Sequence, residues 1–205
     1  MPRDKTLSHK RVNKAIMEEF LEKGYEAASI RSIGKRAGMT SAGLYRHYAD
    51  KEAMFGAMVQ PLIDEINAWT KKHTEKKYGI LNSEEQKGEL FGETFIDLIK
   101  KVILPRREEF ILLISCSAGT KYENFIHDYA MDNQKEFLDA IHFLSEKGYP
   151  VINVSEEELH MLLSAYMTAC FEPVIHKYDD VEIEQYLNTI QAFFMPGWLK
   201  IMGVE

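Results

Sequence analysis

The chain has 205 residues, 45% of them hydrophobic and 28% charged, with a formal net charge of −7. That length supports a substantial core in one or two domains. No run of eighteen apolar residues occurs, and no apolar segment follows Met1-Pro-Arg-Asp-Lys5 to act as a signal peptide, so a soluble, cytoplasmic protein without a membrane partner is expected.

Residues 1–7, with Arg3 and Lys5, read as a mobile arm within reach of a phosphate or a minor groove. Ser8 can cap a helix to Lys23 whose apolar face is Val12, Ala15, Ile16 and Phe20, and Gly24 ends it. Ser29 is the natural N-cap of a second helix, on which Ile30, Ile33 and Ala37 recur at helical spacing. Gly38 supplies the positive φ that stops it, Met39 is an apolar plug, and Thr40 caps a third, short helix. A crossing of two helices over so short a turn needs a small residue where the axes meet, and Gly34 stands there. With Leu44 turned to the core, the pattern is a helix-turn-helix. Ser41, Ala42, Tyr45, Arg46 and His47 are left on the face such a motif lays in the major groove of DNA. An ordinary helical hairpin, with Tyr45 and Tyr48 as packing aromatics, is the alternative reading.

Asp50 opens a long amphipathic run from Lys51 to about Lys76, with Met54, Met58, Leu62, Ile66 and Trp69 on one face. Pro61 predicts a kink in it, and Tyr78 to Asn82 reads as a loop. Ser83 with Gln86 is a capping box for a helix to about Leu104, and Pro105 starts a short helix ending near Ser117. Thr120 with Glu123 is a further capping box, opening a helix that ends at Gly148. Ser155 with Glu158 opens another, kinked by Pro173. Asp179 with Glu182 opens a last one that should bend or stop at Pro196-Gly197, leaving a short Trp198 to Met202 tail. No strand is predicted. Cys116 and Cys170 sit in apolar helical surroundings without metal-ligand spacing and read as buried free thiols.

Charge is divided unevenly: residues 1–52 carry eleven Lys/Arg against seven Asp/Glu, a net +4, which leaves −11 on the rest. A basic module facing nucleic acid on an acidic body fits that split.

Taken together, Lys10-Arg11-Val12 to Phe20, Glu22-Lys23-Gly24-Tyr25, the motif from Ser29 to Tyr48, and Asp50-Lys51-Glu52-Ala53-Met54-Phe55 resemble the DNA-binding domain of the tetracycline-repressor (TetR) family of bacterial regulators. The resemblance covers about forty-five residues. Asn13 and Ile16 depart from it, standing where the family usually has an aliphatic and a small residue. It implies an all-α chain divided into a three-helix DNA-binding domain, 1–52, and a larger effector-binding and dimerisation domain, 53–205. Tyr45 and Lys51 resemble the family's phosphate contacts, with Ser29, Thr40 and His47 as helpers, while Ser41, Ala42 and Gly43 approach base edges and Arg46 serves either duty. The last two helices, with Phe193, Phe194 and Trp198 on wide apolar faces, are expected to pair in a homodimer on a palindromic operator in double-stranded DNA.

The resemblance also implies an effector pocket surrounded by helices that carry Trp69, Phe91, Phe95, Phe110, Tyr122, Phe125, Tyr129, Tyr166 and Cys170. The function expected is a ligand-responsive transcriptional regulator, most simply a repressor released by a small-molecule effector, with no catalytic residue, metal or cofactor. Two other classes stay open at this point. Glu157-Glu-Leu-His160 has the Glu-x-x-His spacing of di-iron bundles, though such sites use that unit twice. A structural helical adaptor would bind no DNA at all.

Overall fold

The computed structural model describes residues 5–81, 95–176 and 178–204, with side chains described from Ser8 to Glu75 in the first of these stretches. All the regular structure among them is helical: α1 Lys5–Ala27, α2 Ile30–Ala37, α3 Ser41–Leu44, α4 Lys51–Leu81, α5 Phe95–Leu98, α6 Arg107–Ser115, α7 Phe125–Glu146, α8 Glu156–Ile175 and α9 Asp180–Met202. A π-helical turn, Ile99–Ile103, and a 3-10 turn, Leu104–Arg106, join α5 to α6. The chain forms two compact units: residues 1–69 with 105–123, and residues 70–104 with 124–205.

The first unit is assembled on α1 and the first part of α4. Val12, Ala15, Ile16 and Phe20 of α1 are buried with Ile33 and Ala37 of α2, Leu44 of α3, and Met54, Phe55, Met58 and Val59 of α4. An aromatic group fixes the centre: Phe20 and Phe55 lie 5.2 Å apart, and Tyr25 packs 5.6 Å from Phe55. Gly24, at φ 72° and ψ 168°, breaks α1 where its stop was expected, and helical turn resumes only as far as Ala27. The N–H of Tyr25 then donates to the Cys116 carbonyl at 2.9 Å.

In the second unit α8 and α9 open on the expected capping boxes, Ser155 with Glu158 and Asp179 with Glu182. Leu159, Leu163, Met167 and Phe171 of α8 are buried, as are Ile183, Leu187 and Trp198 of α9. Ala140, Leu144 and Met202 form a smaller cluster under Phe137 and Val151.

Several expected boundaries are corrected. The loop from Tyr78 is absent, because α4 runs on to Leu81; extending a helix by a few residues costs little beside nucleating a new structure. The Ser83 and Gln86 box and Phe91 lie outside the described residues. Thr120 and Glu123 do not cap α7. Glu123 accepts from the Gly119 N–H, and Thr120 Oγ1 donates to the Ser117 carbonyl and accepts from the Tyr122 N–H, so the polar pair closes a turn and α7 starts at Phe125. Pro61, where a kink is expected, lies inside α4, and Pro196 does not stop α9. Both lie on exposed surface one turn after exposed Ala57 and Ala192, where a carbonyl deprived of its donor is solvated. The segment Trp198 to Met202 is therefore the end of α9 rather than a tail, and Gly203 caps it. Cys116 and Cys170 are buried thiols outside any disulfide, as expected.

Candidate nucleic-acid interface

The motif is held from behind by a carboxylate that sequence reading overlooked. Glu19 has no solvent exposure. Its Oε2 accepts from Ser32 Oγ at 2.7 Å and Arg36 Nε at 2.9 Å, and its Oε1 from Lys23 Nζ at 3.1 Å and the Ser29 N–H at 3.3 Å. Burial pushes the pKa of Glu19 up, but these four donors, Ser32 foremost, outweigh it and hold the pKa at about 2. A charged group with every oxygen satisfied thus locks the start and end of α2 onto α1. The sequence did carry a signal. Glu19 falls three residues after Ile16 and four after Ala15, on the same stripe as the core residues.

The turn between α2 and α3 follows from two glycines. Gly38, at φ 64° and ψ 38°, caps α2 through its N–H and reverses the chain. Gly34 permits the close crossing, because a β-carbon there would stand 2.8 Å from the Met39 carbonyl oxygen. Thr40 then caps α3, its Oγ1 accepting from the Gly43 N–H at 3.1 Å. Leu44 is fully buried.

With Leu44 fixed inward, Ala42, Tyr45, Arg46 and His47 are exposed, and Ser41 and Gly43 are half-buried. Tyr45 is 50% exposed. Tyr48 differs: it is half-buried, and its hydroxyl donates to Asn13 Oδ1 at 2.6 Å. Asn13, one of the two departures from the family pattern, therefore ties α1 to the segment behind α3, while Ile16, the other, is fully buried. Ser29 and Thr40 are exposed as caps of α2 and α3. Lys51 lies 4.5 Å over the Tyr25 ring and donates to the Glu26 carbonyl at 3.1 Å, and burial lowers its pKa. Two of its ammonium protons remain for another acceptor.

The aromatic residues expected around an effector lie in both compact units. In the first, Phe110 is fully buried, Trp69 is half-buried, and Tyr122 packs 5.9 Å from Phe55 with its hydroxyl donating to Gln60 Oε1. In the second, Phe95 meets Tyr166 at 5.7 Å and Tyr129 at 6.2 Å, and Phe125 stacks on Tyr129 at 5.9 Å. Tyr129 shares a 2.8 Å hydrogen bond with Thr70. Burial pushes the Cys170 thiol up to about 12 and raises Tyr166, which hydrogen-bonds it. Cys170 is thus an inert thiol. Among the described residues no group of three or more His, Cys, Asp or Glu side chains could hold a metal ion. No described helix is long and apolar enough to cross a membrane.

A short capped helix projecting polar and aromatic side chains from a three-helix core is the architecture of a helix-turn-helix DNA-binding regulator. Comparison with known proteins agrees. The model for bacterial regulatory proteins of the tetR family matches residues 13–58. The HTH-type transcriptional regulator YvkB of Bacillus subtilis (strain 168) is 23% identical over 200 residues, covering 93% of this chain and 96% of that protein. A second regulator of the same organism, YdgC, is 29% identical over 131 residues, covering 63% of this chain and 59% of that one. The crystal structure of the TetR family transcriptional regulator PfmR from Thermus thermophilus shares the fold, with a TM-score of 0.56 at 17% identity over 95% of this chain and 99% of that one. The chain is a DNA-binding transcriptional regulator, and these relatives are regulators rather than enzymes. Its residues 13–58 are similar to the DNA-binding part of the tetR family of bacterial regulatory proteins.

Proposed function

We propose that the protein is a cytoplasmic, homodimeric repressor that leaves a palindromic operator when a small molecule binds. The observation that carries the DNA side is the exposure of Tyr45, Arg46 and Ala42 over a buried Leu44. Tyr45, Lys51, Ser29, Thr40 and His47 hold phosphates and set register; Ser41, Ala42 and Gly43 meet base edges; Arg46 serves either duty. Ala42 offers only van der Waals contact, for instance to a thymine methyl group. In this reading residues 1–52 bind DNA and residues 53–205 receive the effector and dimerise.

The second unit supports the dimer. Phe193 is 76% exposed and Met161 is 72% exposed, with Leu162 and Val181 also open, a concentration of apolar surface on α8 and α9 that a monomer seldom leaves to water. One motif spans a few base pairs, so useful specificity requires two held at fixed spacing. In this reading the effector binds among Phe95, Phe125, Tyr129, Tyr166 and Cys170 of the second unit. It acts by binding better to a dimer whose two recognition helices have the wrong separation, and operator affinity falls by that difference.

Selection of duplexes from a random pool by the full chain, followed by binding measurements across salt concentrations, tests the reading. A palindromic site should emerge, and Lys51→Ala should reduce the slope of log affinity against log salt by about one contact. Absence of any salt-dependent binding would refute it.

A further inference from the structure

The operator reading leaves one pair of ring nitrogens unused. His127 of α7 and His160 of α8 have ring centroids 5.7 Å apart with planes at 72°. Behind them, His160 Nδ1 lies 3.2 Å from Gln134 Oε1, and Gln134 Nε2 donates to the Glu156 carbonyl at 2.9 Å. Gln134 is buried. A carbonyl only accepts, so the amide nitrogen of Gln134 must face Glu156 and its oxygen must face His160. His160 therefore donates from Nδ1, and the lone pair of its neutral ring is on Nε2.

A histidine whose Nδ1–H is pinned by a protein acceptor is oriented as metal-ligating histidines are. Two imidazoles on one tetrahedral zinc ion, at Zn–N distances of about 2.0–2.1 Å, place their centroids about 5 Å apart. The observed separation is a small rotation away, and His127, on exposed surface, is free to make it. We propose that His127 and His160 form a two-imidazole site for a late first-row divalent cation such as Zn²⁺ or Ni²⁺, bridging α7 and α8. Water completes the coordination, so the ion exchanges readily instead of being structural. The partner of His160 is then His127 from the neighbouring helix, and Glu157 of the Glu-x-x-His sequence is not required. The proposal stands independently of the operator reading.

The test is calorimetric titration of the full chain with ZnCl₂ or NiCl₂ alone, and with MgCl₂ as a control, on the wild type and on His127→Ala, His160→Ala, Gln134→Met and His9→Ala. His9 is included because it forms a second histidine pair, 6.1 Å from His47. One ion per chain should bind the wild type at roughly micromolar concentration, raise its melting temperature, and bind His9→Ala equally well. Either His127→Ala or His160→Ala should abolish that ion, and Gln134→Met should weaken it about 10–100-fold. Magnesium, which prefers oxygen ligands, should not bind. Circular dichroism separates a lost ligand from a lost fold, and His127→Ala alters only an exposed position. Failure of the wild type to bind zinc or nickel, or retention of the ion by either folded histidine variant, overturns the proposal.

Discussion

Arg36 donates through Nε to Oε2 of Glu19 at 2.9 Å, joining the last turn of α2 to a carboxylate that water does not reach. Replacing Glu19 by Ala leaves the Ser32 hydroxyl and the Ser29 N–H without this acceptor, while Arg36 keeps Glu18 and Glu22. Losing hydrogen bonds to a charged acceptor costs about 1.5–3 kcal/mol. Urea denaturation should show a loss of that order for Glu19→Ala. An effect below about 1 kcal/mol, the scale of an exposed ion pair, would show that the network does not hold the motif.

The same group sets a pH dependence. The folded pKa of Glu19, about 2, lies below its value of about 4.5 in an unconstrained chain, so the folded state binds the proton less readily. The stabilisation is fully present above pH ~4.5 and is lost as pH falls toward 2, amounting to about 3 kcal/mol from this residue. Stability measured across that window should fall more steeply for the wild type than for Glu19→Gln.

Gly34→Ala tests the crossing of α2 and α3. Alanine improves helix propensity by about 1 kcal/mol, but its β-carbon would stand 2.8 Å from the Met39 carbonyl oxygen, which is backbone and cannot turn aside. Overpacking of this kind costs about 1–3 kcal/mol, so the variant should melt lower and bind DNA more weakly. A variant more stable than the wild type would mean that the turn opens freely.

Phe193→Glu places a charge on the most exposed large apolar side chain of α9. If that surface pairs two copies, sedimentation should show the dimer dissociating, while the helical content of the chain is unchanged. An unaltered dimer would move the interface elsewhere.

How far the sequence could be read depended on how local the deciding physics was. Caps and stops within a few residues of each other, such as Ser29, Gly38, Thr40 and the Asp179 and Glu182 box, were legible because each acts on its own helix end. The Thr120 and Glu123 pair misled, since the same four-residue spacing closes a turn as readily as it caps a helix. Pro196 misled as well: whether a proline ends a helix depends on whether the carbonyl it strands can reach water, which is a property of burial. Glu19 needed partners ten to seventeen residues away in the chain, Ser29 and Arg36, and periodicity places a carboxylate on a buried stripe without saying what will satisfy it.

The most direct measurement is the dissociation constant of the full chain for its selected duplex before and after Tyr45→Ala. Tyr45 is 50% exposed beside the buried Leu44, so the substitution should leave the melting temperature within about a degree or two, as for other surface changes. Operator affinity should fall about tenfold or more, the loss of roughly one hydrogen bond to a charged group. Equal affinity for the wild type and a folded Tyr45→Ala would contradict the account, because the face around Tyr45 would then not be the one that meets DNA.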